Sequence, residues 1–224
     1  MARFDRLKVY NTIIEDGLVP LFYNRDIEKA KSITKSLVDG GSRILEFTNR
    51  GDFAIKVFPD LLEYSANLFP DLIIGVGSVI DAPTAALYIA YGANFIVGPS
   101  LNEEVSRLCN RRKIAYIPGC GSINDITRAE ELGAEIVKVF PGSTVGGPEF
   151  VKVLLGPMPW TKVMPTGGVT TDEENLREWF KAGVACVGMG SNLVSSKLVE
   201  EKKYDEISAM TEKVLKIIKK IKGF

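Results

Sequence analysis

Histidine is absent from this sequence of 224 residues. Its absence excludes every catalytic triad, acid–base role and metal site that would depend on an imidazole side chain. Proton transfer in any active site of this chain must therefore rest on glutamate, aspartate, lysine, tyrosine, cysteine or water.

Cysteine is scarce, and its spacing predicts neither a disulfide framework nor a zinc site. The three cysteines, Cys109, Cys120 and Cys186, are far apart, and none belongs to a C-x-x-C pair. We expect them to pack as small apolar side chains in a reducing cytoplasm.

An excess of one charge and a long apolar run are also missing. Basic and acidic side chains number 28 each, so no general attraction to nucleic acid is expected. No N-terminal run resembles a signal peptide, and no stretch is long and apolar enough to span a bilayer. We therefore expect a cytoplasmic protein with no nucleic-acid or membrane partner. The composition, 46% apolar and 25% charged, is typical of a globular chain with a sizeable core.

Short apolar segments alternate with amphipathic helical segments along the chain. Eight such segments predict strands, within residues 19–23, 44–47, 72–77, 94–97, 114–119, 136–140, 161–168 and 185–191. Alternation of this kind predicts parallel strands joined by helices. With an extra N-terminal helix at 2–16 and an amphipathic basic helix ending the tail 197–224, it predicts an α/β chain, a single (β/α)₈ TIM barrel over residues 1–224. The alternative is an open, doubly wound sheet.

Helix boundaries carry ordinary capping signals. Asp26 is a predicted N-cap, and predicted helices also begin at Asp81, Asn102 and Asp172. Pro59 lies inside the helical segment 52–69, where it predicts an interruption or a new helix start.

One lysine stands in the middle of a predicted strand. Lys138 lies between two valines in the segment 136–140, which the turn Pro141-Gly142 ends. An ammonium group buried there should have a lowered pKa, and a neutral amine attacks ketones to form a Schiff base. The alternative is a lysine that reaches solvent from the strand end. The similar segment 55–60 contains Lys56, but in a helical context, so we regard that repeat as coincidental.

The predicted carboxyl ends of other strands carry polar groups that a barrel would bring to one mouth. Glu46 lies in an apolar strand, where its pKa should be raised or a cation should pair with it; the alternative is a structural ion pair. Arg50 follows that strand and offers a bidentate grip on a carboxylate, unless it is only a solvated loop residue.

Glycine-rich turns follow the last two predicted strands. Thr166-Gly167-Gly168 and Gly188–Ser191 allow backbone N–H groups to approach an anion closely, and these are the frequent phosphate-binding positions of a TIM barrel. They could also be turn geometry alone. Neither completes a dinucleotide-binding or P-loop motif, so a site for those ligands is not expected.

Five segments together resemble one family: LEFTNR at 45–50, GVGSV at 75–79, IPGC at 117–120, VKVFPG at 137–142 and PTGGV at 165–169. In this combination they resemble the class I KDPG/KHG aldolases. The resemblance implies a trimeric TIM barrel that needs no metal and no cofactor. It also implies cleavage of 2-keto-3-deoxy-6-phosphogluconate to pyruvate and glyceraldehyde 3-phosphate, or of 4-hydroxy-2-oxoglutarate to pyruvate and glyoxylate.

By the same resemblance, Lys138 matches the Schiff-base lysine and Glu46 the general acid and base. The other matched positions are expected to bind substrate: Arg50, Thr48, Ser78, Pro99, Pro118, Thr166, Gly167, Gly168, Gly190 and Ser191. Arg50 and Ser78 fall at substrate-carboxylate positions, and the glycine turns fall at the phosphate. Ser78 replaces the threonine that is common in the family but keeps the hydroxyl. Residues 51–54 depart from the family's pattern, so the resemblance implies nothing about that edge of the pocket.

Three other functions compete with this interpretation. A related aldolase could prefer the phosphogalactonate epimer. Another phosphate-binding barrel, such as a sugar-phosphate isomerase or epimerase, would use the glycine turns but leave Lys138 without a task. A non-catalytic binding protein would have no reason to bury both Glu46 and Lys138.

Overall fold

The computed structural model describes residues 2–223, and within them strands and helices alternate along most of the chain. The strands are β1 (Leu18–Phe22), β2 (Ile44–Thr48), β3 (Ile73–Gly77), β4 (Phe95–Val97), β5 (Ala115–Ile117), β6 (Gly119–Cys120), β7 (Val137–Val139), β8 (Val163–Pro165) and β9 (Val187–Met189). The helices are α1 (Arg6–Asp16), α2 (Ile27–Asp39), α3 (Ala54–Leu68), α4 (Ala82–Tyr91), α5 (Glu103–Arg112), α6 (Ile123–Glu131), α7 (Gly147–Leu155), α8 (Glu173–Lys181), α9 (Ser196–Glu200) and α10 (Tyr204–Lys222).

The strands form a curled array of parallel strands in two sheets. Six follow the order β5-β4-β3-β2-β1-β9, and three follow β6-β7-β8. A parallel bridge between Thr166 and Gly188 links the end of β8 to β9, and Pro118 alone separates β5 from β6. The α/β class with parallel strands is therefore confirmed, and each of the eight predicted strand segments overlaps an observed strand.

The fifth predicted strand differs from expectation because it is divided at Pro118. Proline has no N–H to donate, so the sheet ladder is interrupted there. The Pro118 carbonyl still accepts a hydrogen bond of 2.8 Å from the Lys138 N–H. The neighbouring strand therefore keeps its register, with Gly119 opposite Lys138.

One helix prediction needs correction. Pro59 does not interrupt α3, because Phe58 and Leu61 on either side of it are fully buried and hold the helix against the core. The basic helix predicted at the end of the tail is α10, and Lys202, with a left-handed φ of 54°, separates it from the short helix α9. The predicted cap at Asp26 is confirmed, and the predicted helix starts at Asp81, Asn102 and Asp172 are N-caps as well, since each side chain accepts from a backbone N–H of the first turn.

Two hydrophobic clusters fill the fold. The larger lies between the helices and the strands and includes Phe58 and Trp179. The smaller joins inward-facing strand residues such as Phe95 to α1. Tyr10 of α1 donates its hydroxyl to the carbonyl of Tyr116 and accepts from the N–H of the same residue. Because α1 packs into the smaller cluster at the N-terminal ends of the strands, it is the carboxyl ends that remain open for a site.

Two expectations from composition concern the cysteines and membrane-spanning helices. Cys109, Cys120 and Cys186 are buried and unpaired, and burial raises the pKa of each thiol to about 12. They are therefore packing residues, as expected. No helix within residues 2–223 is both long enough and apolar enough to cross a membrane.

Candidate active site

Lys138 is the middle residue of β7 and only 3% of its surface is exposed. Its valine neighbours and its place between β6 and β8 hold it in the interior of the array. The ammonium nitrogen lies 4.8 Å from the centre of the Phe140 ring. No hydrogen bond or ion pair reaches that nitrogen from any residue in the range 2–223.

Burial lowers the pKa of Lys138, because a charge loses its hydration in the interior. The nearby Glu46 carboxylate raises this pKa, and the Arg50 guanidinium lowers it further, but desolvation is the largest effect. The amine is therefore more available as a neutral nucleophile than that of an exposed lysine. The sequence prediction of a lowered pKa is confirmed in direction.

Glu46 lies on β2 and is 1% exposed. Desolvation raises the pKa of its carboxyl group, while Lys138 and Arg50 act in the opposite direction. Its Oε2 atom has no hydrogen-bond partner among the described residues, which is costly for a carboxylate and cheaper for a protonated acid. The interior thus favours neutral forms of both Lys138 and Glu46, so a proton can move between them and a bound molecule.

Arg50 lies in the loop after β2 and donates from Nε to the Ser78 hydroxyl at 3.1 Å. Ser78 has a left-handed φ of 59°, a conformation that costs a non-glycine residue roughly 1–2 kcal/mol. The terminal guanidinium nitrogens of Arg50 donate to no group within residues 2–223. Their planar arrangement matches the two oxygens of a carboxylate.

A cavity of about 540 Å³ opens beside these residues. Its wall contains both glycine-rich turns, together with Thr48, Arg50 and Phe140. Gly167 and Gly168 have φ values of +90° and +79°, which other residues rarely adopt, so glycine is required here by conformation.

The two turns present unpaired amide groups. Within the described chain, the backbone N–H groups of four residues donate to no protein acceptor; these are Gly167, Gly168, Gly190 and Ser191. Successive free amides in turns of this kind bind anions. One carboxylate also lines the cavity, that of Glu200, and the Lys29 ammonium is 2.9 Å from both of its oxygens.

The structure brings most of the residues predicted from sequence to one place. Those on the cavity wall are Thr48, Arg50, Thr166, Gly167, Gly168, Gly190 and Ser191. Lys138, Glu46 and Ser78 are not on that wall, but two wall residues lie near them. The Phe140 ring centre is 4.8 Å from the Lys138 nitrogen, and Arg50 bonds to Ser78 and acts electrostatically on Glu46. Pro99 and Pro118 are not on it either. They shape neighbouring backbone, because the Pro99 carbonyl packs against Gly119 and the Pro118 carbonyl holds β7.

Phe140 was missed by the sequence reasoning although a signal existed. Successive side chains of a strand alternate, so residues two apart share a face, and Phe140 stands two positions after Lys138. Tyr23, Asn24 and Glu200 also line the cavity. Tyr23 and Asn24 follow β1, so the rule that strand ends meet at the mouth could have found them, whereas no pattern pointed to Glu200 of α9.

Across residues 2–223, no group of three or more cysteine, aspartate or glutamate side chains is arranged to hold a metal ion. What these residues offer is a buried amine, a buried acid, an arginine for a carboxylate and free amides for an anion.

Known proteins resemble this chain in sequence and in fold. The model of the KDPG and KHG aldolase family matches residues 9–210. A 2-dehydro-3-deoxy-phosphogluconate aldolase of Pseudoalteromonas atlantica is 33% identical over 199 residues, which cover 88% of this chain and 89% of that protein. The KHG/KDPG aldolase of Escherichia coli K12 is 29% identical, covering 88% and 90%. A crystal structure of KDPG aldolase from Legionella pneumophila, with pyruvate captured at low pH as a covalent carbinolamine intermediate, superposes with a TM-score of 0.81 at 28% identity, over 91% of this chain and 97% of that one.

Proposed function

This chain belongs to the KDPG and KHG aldolase family, and from that premise we propose that it is a Schiff-base-forming aldolase with Lys138 as its nucleophile. The substrates are 2-keto-4-hydroxy acids: 2-keto-3-deoxy-6-phosphogluconate, 4-hydroxy-2-oxoglutarate or both. The observation that carries the proposal is the buried Lys138 with a lowered pKa, next to a buried Glu46 with a raised one.

The first half of the reaction builds an electron sink. The neutral amine of Lys138 adds to the ketone carbon and forms a carbinolamine, which is the kind of adduct captured in the Legionella enzyme. Protonated Glu46 gives its proton to the departing hydroxyl group, and water leaves. The resulting iminium carries the positive charge that will accept electrons.

The second half breaks the carbon–carbon bond. The Glu46 carboxylate removes the proton of the carbon 4 hydroxyl, the bond between carbons 3 and 4 breaks, and its electron pair enters the iminium to give an enamine. The aldehyde leaves. Glu46 then returns the proton to carbon 3, and water hydrolyses the iminium to release pyruvate and the free lysine.

Substrate binding uses the two other parts of the site. The free guanidinium nitrogens of Arg50, with the Ser78 hydroxyl, would hold the carboxylate of the keto acid. The free amides of the glycine turns would hold the phosphate of a phosphorylated substrate. A substrate without phosphate would leave these amides to water, so one site could serve both substrates.

The decisive experiment is trapping with pyruvate and borohydride, followed by mass spectrometry of the intact protein. Reduction of the iminium leaves a stable 1-carboxyethyl group on the lysine nitrogen. After proteolysis, we expect that mass on one peptide, the one containing Val137–Phe140. No adduct, or an adduct on another lysine, would contradict the proposal. A cleavage assay on both substrates and on the phosphogalactonate epimer would then rank them. Exhaustive chelation is expected to leave the rate unchanged.

The finer architecture is also proposed. We expect the two sheets to act as one (β/α)₈ barrel, joined at the Thr166–Gly188 bridge and across Pro118. We further propose a homotrimer, which rests on the family resemblance alone. Sedimentation equilibrium of the full chain would test the trimer, and a monomer or dimer at micromolar concentration would contradict it.

A further inference from the structure

Gly77 is the last residue of β3, and its backbone does not require glycine. Its φ is not among the positive values of the described glycines, and it pairs with Thr48 in the regular parallel register of β2 and β3. Glycine inside a strand costs conformational entropy and often marks a place where another group approaches closely. A group that lies close to the Gly77 backbone would therefore account for glycine at this position.

That group is the side chain of Glu46. A Cβ atom built on Gly77 would overlap Oε1 and Cδ of Glu46 and would approach its Cγ to 2.8 Å. The conflict involves the length of the glutamate side chain and not only its tip. Because Glu46 is 1% exposed, it cannot escape by turning into solvent.

Hydrogen bonds do little to hold this carboxyl group. Oε2 has no partner among residues 2–223. Its position therefore depends on the shape of the space around it, and the missing side chain of Gly77 forms part of that space. A rigid boundary matters for catalysis, since a misplaced acid or base transfers protons poorly.

We propose that Gly77 is a positioning residue, whose missing side chain gives the Glu46 carboxyl group the space to lie next to Lys138. The inference rests on the proposed role of Glu46 as the acid and base of the reaction. It does not extend to the other strand glycines: the Phe95 ring of the inner core lies against Gly75, the Pro99 carbonyl against Gly119 and the Thr166 hydroxyl against Gly188.

The test is a double-mutant cycle of Gly77→Ala with Glu46→Ala, in the full chain, with cleavage of 4-hydroxy-2-oxoglutarate and the unfolding midpoint as readouts. We expect Gly77→Ala alone to lower kcat at least about 10²-fold, the scale of a displaced acid–base group. In the Glu46→Ala background the same substitution should lower kcat by no more than about threefold, because no carboxyl group is left to displace. The pH profile of kcat should lose the limb that depends on Glu46.

Stability gives a second readout that does not depend on activity. Gly77→Ala should lower the unfolding midpoint less when Glu46 is already alanine, since the overlap is then relieved. Gly75→Ala is the matched control on the same strand: its cost should be the same in both backgrounds, because its new methyl group meets Phe95.

Each outcome decides the proposal. Wild-type kcat in Gly77→Ala, or equal losses in both Glu46 backgrounds with an unchanged pH profile, would overturn it. If Gly77→Ala does not fold, a folded Gly77→Ala/Glu46→Ala protein supports the proposal and an unfolded one overturns it. Should the wild type form no pyruvate adduct, the proposed function fails, while the stability cycle still reports whether Gly77 makes room for Glu46.

Discussion

The two parts of the candidate site use different chemical groups. Around Lys138 and Glu46 the functional groups are side chains, 3% and 1% exposed, whose pKa values are shifted by loss of hydration. At the glycine turns the functional groups are backbone amides, and Gly167, Gly168 and Ser191 are exposed. The proposed chemistry thus occupies the buried part of the site, and the proposed anion binding occupies the exposed part.

This difference has a physical reason. A nucleophilic amine must be uncharged, and burial is the simplest way to disfavour its charged form. A phosphate must keep its charge, and it needs many donors without a complete loss of solvent. Substitutions in the buried part should therefore change turnover, and those in the turns should change selectivity between substrates.

The largest expected effect is that of Lys138→Arg. Arginine keeps a positive charge but offers no usable amine, because guanidinium remains protonated. We expect turnover to fall on the order of 10⁴-fold or more and the borohydride-trapped adduct to vanish. Lys56→Arg is the matched control, since Lys56 is exposed on α3 with its nitrogen 5.1 Å from the Phe53 ring. Activity surviving in the first variant, or loss of the adduct in the second, would refute the assignment.

Glu46→Gln should have the next largest effect. Glutamine keeps the size of the side chain and removes the titratable proton, and acid–base groups contribute about 10²–10⁴-fold in rate. We expect kcat to fall by that factor while circular dichroism stays unchanged. Near-normal turnover would leave Glu46 as a structural partner of Lys138 only.

Ser191→Asp should separate the two substrates. A carboxylate near the proposed phosphate position repels it, by about 4 kcal/mol for two close charges at an effective dielectric constant near 20, and solvent at this exposed site will reduce that value. We expect kcat/KM to fall at least about 10-fold more for the phosphorylated substrate than for 4-hydroxy-2-oxoglutarate. The neutral Ser191→Asn is the control and should spare both. Equal losses on both substrates would make this turn structural.

Gly168→Asp is a poorer version of that test. Gly168 has a φ of +79°, and a Cβ atom there would overlap that of Ser143. Any side chain at this position is strained, so its effect on phosphate binding cannot be separated from damage to the turn.

The smallest expected effect is on stability as a function of pH. The folded state raises the pKa of Glu46 above its ordinary value of 4.5. The stability that this group contributes is therefore present below pH 4.5 and is lost as the pH rises through the folded pKa. We expect the melting temperature of the wild type, measured relative to Glu46→Gln, to decline as the pH rises above 4.5. A constant difference would mean that Glu46 has the same pKa folded and unfolded.

Local sequence signals were reliable wherever the physics is local. The caps at Asp26 and Asp172 formed because a short polar side chain meets the free N–H groups of the first helical turn. The direction of the Lys138 pKa followed from its valine neighbours, because a short, apolar, central strand is buried on both faces.

Signals failed where distant segments decide the outcome. Pro59 left α3 intact because buried neighbours hold that helix, whereas Pro118 divided a strand because its missing N–H falls in a sheet ladder. The same residue type thus had opposite effects in different surroundings. No reading of residues 75–79 alone could tell that Gly77 leaves room for a carboxyl group from another strand.

The sequence by itself determined the alternation of strands and helices, the family, and the candidate roles of Lys138 and Glu46, because each depends on residue type and short spacing. Only the tertiary structure decided which residues form the cavity wall, that Ser78 meets Arg50, and that Glu46 lies over Gly77. These are contacts between strands and loops, and their distances are fixed by packing and register across the sheet, which no local pattern encodes.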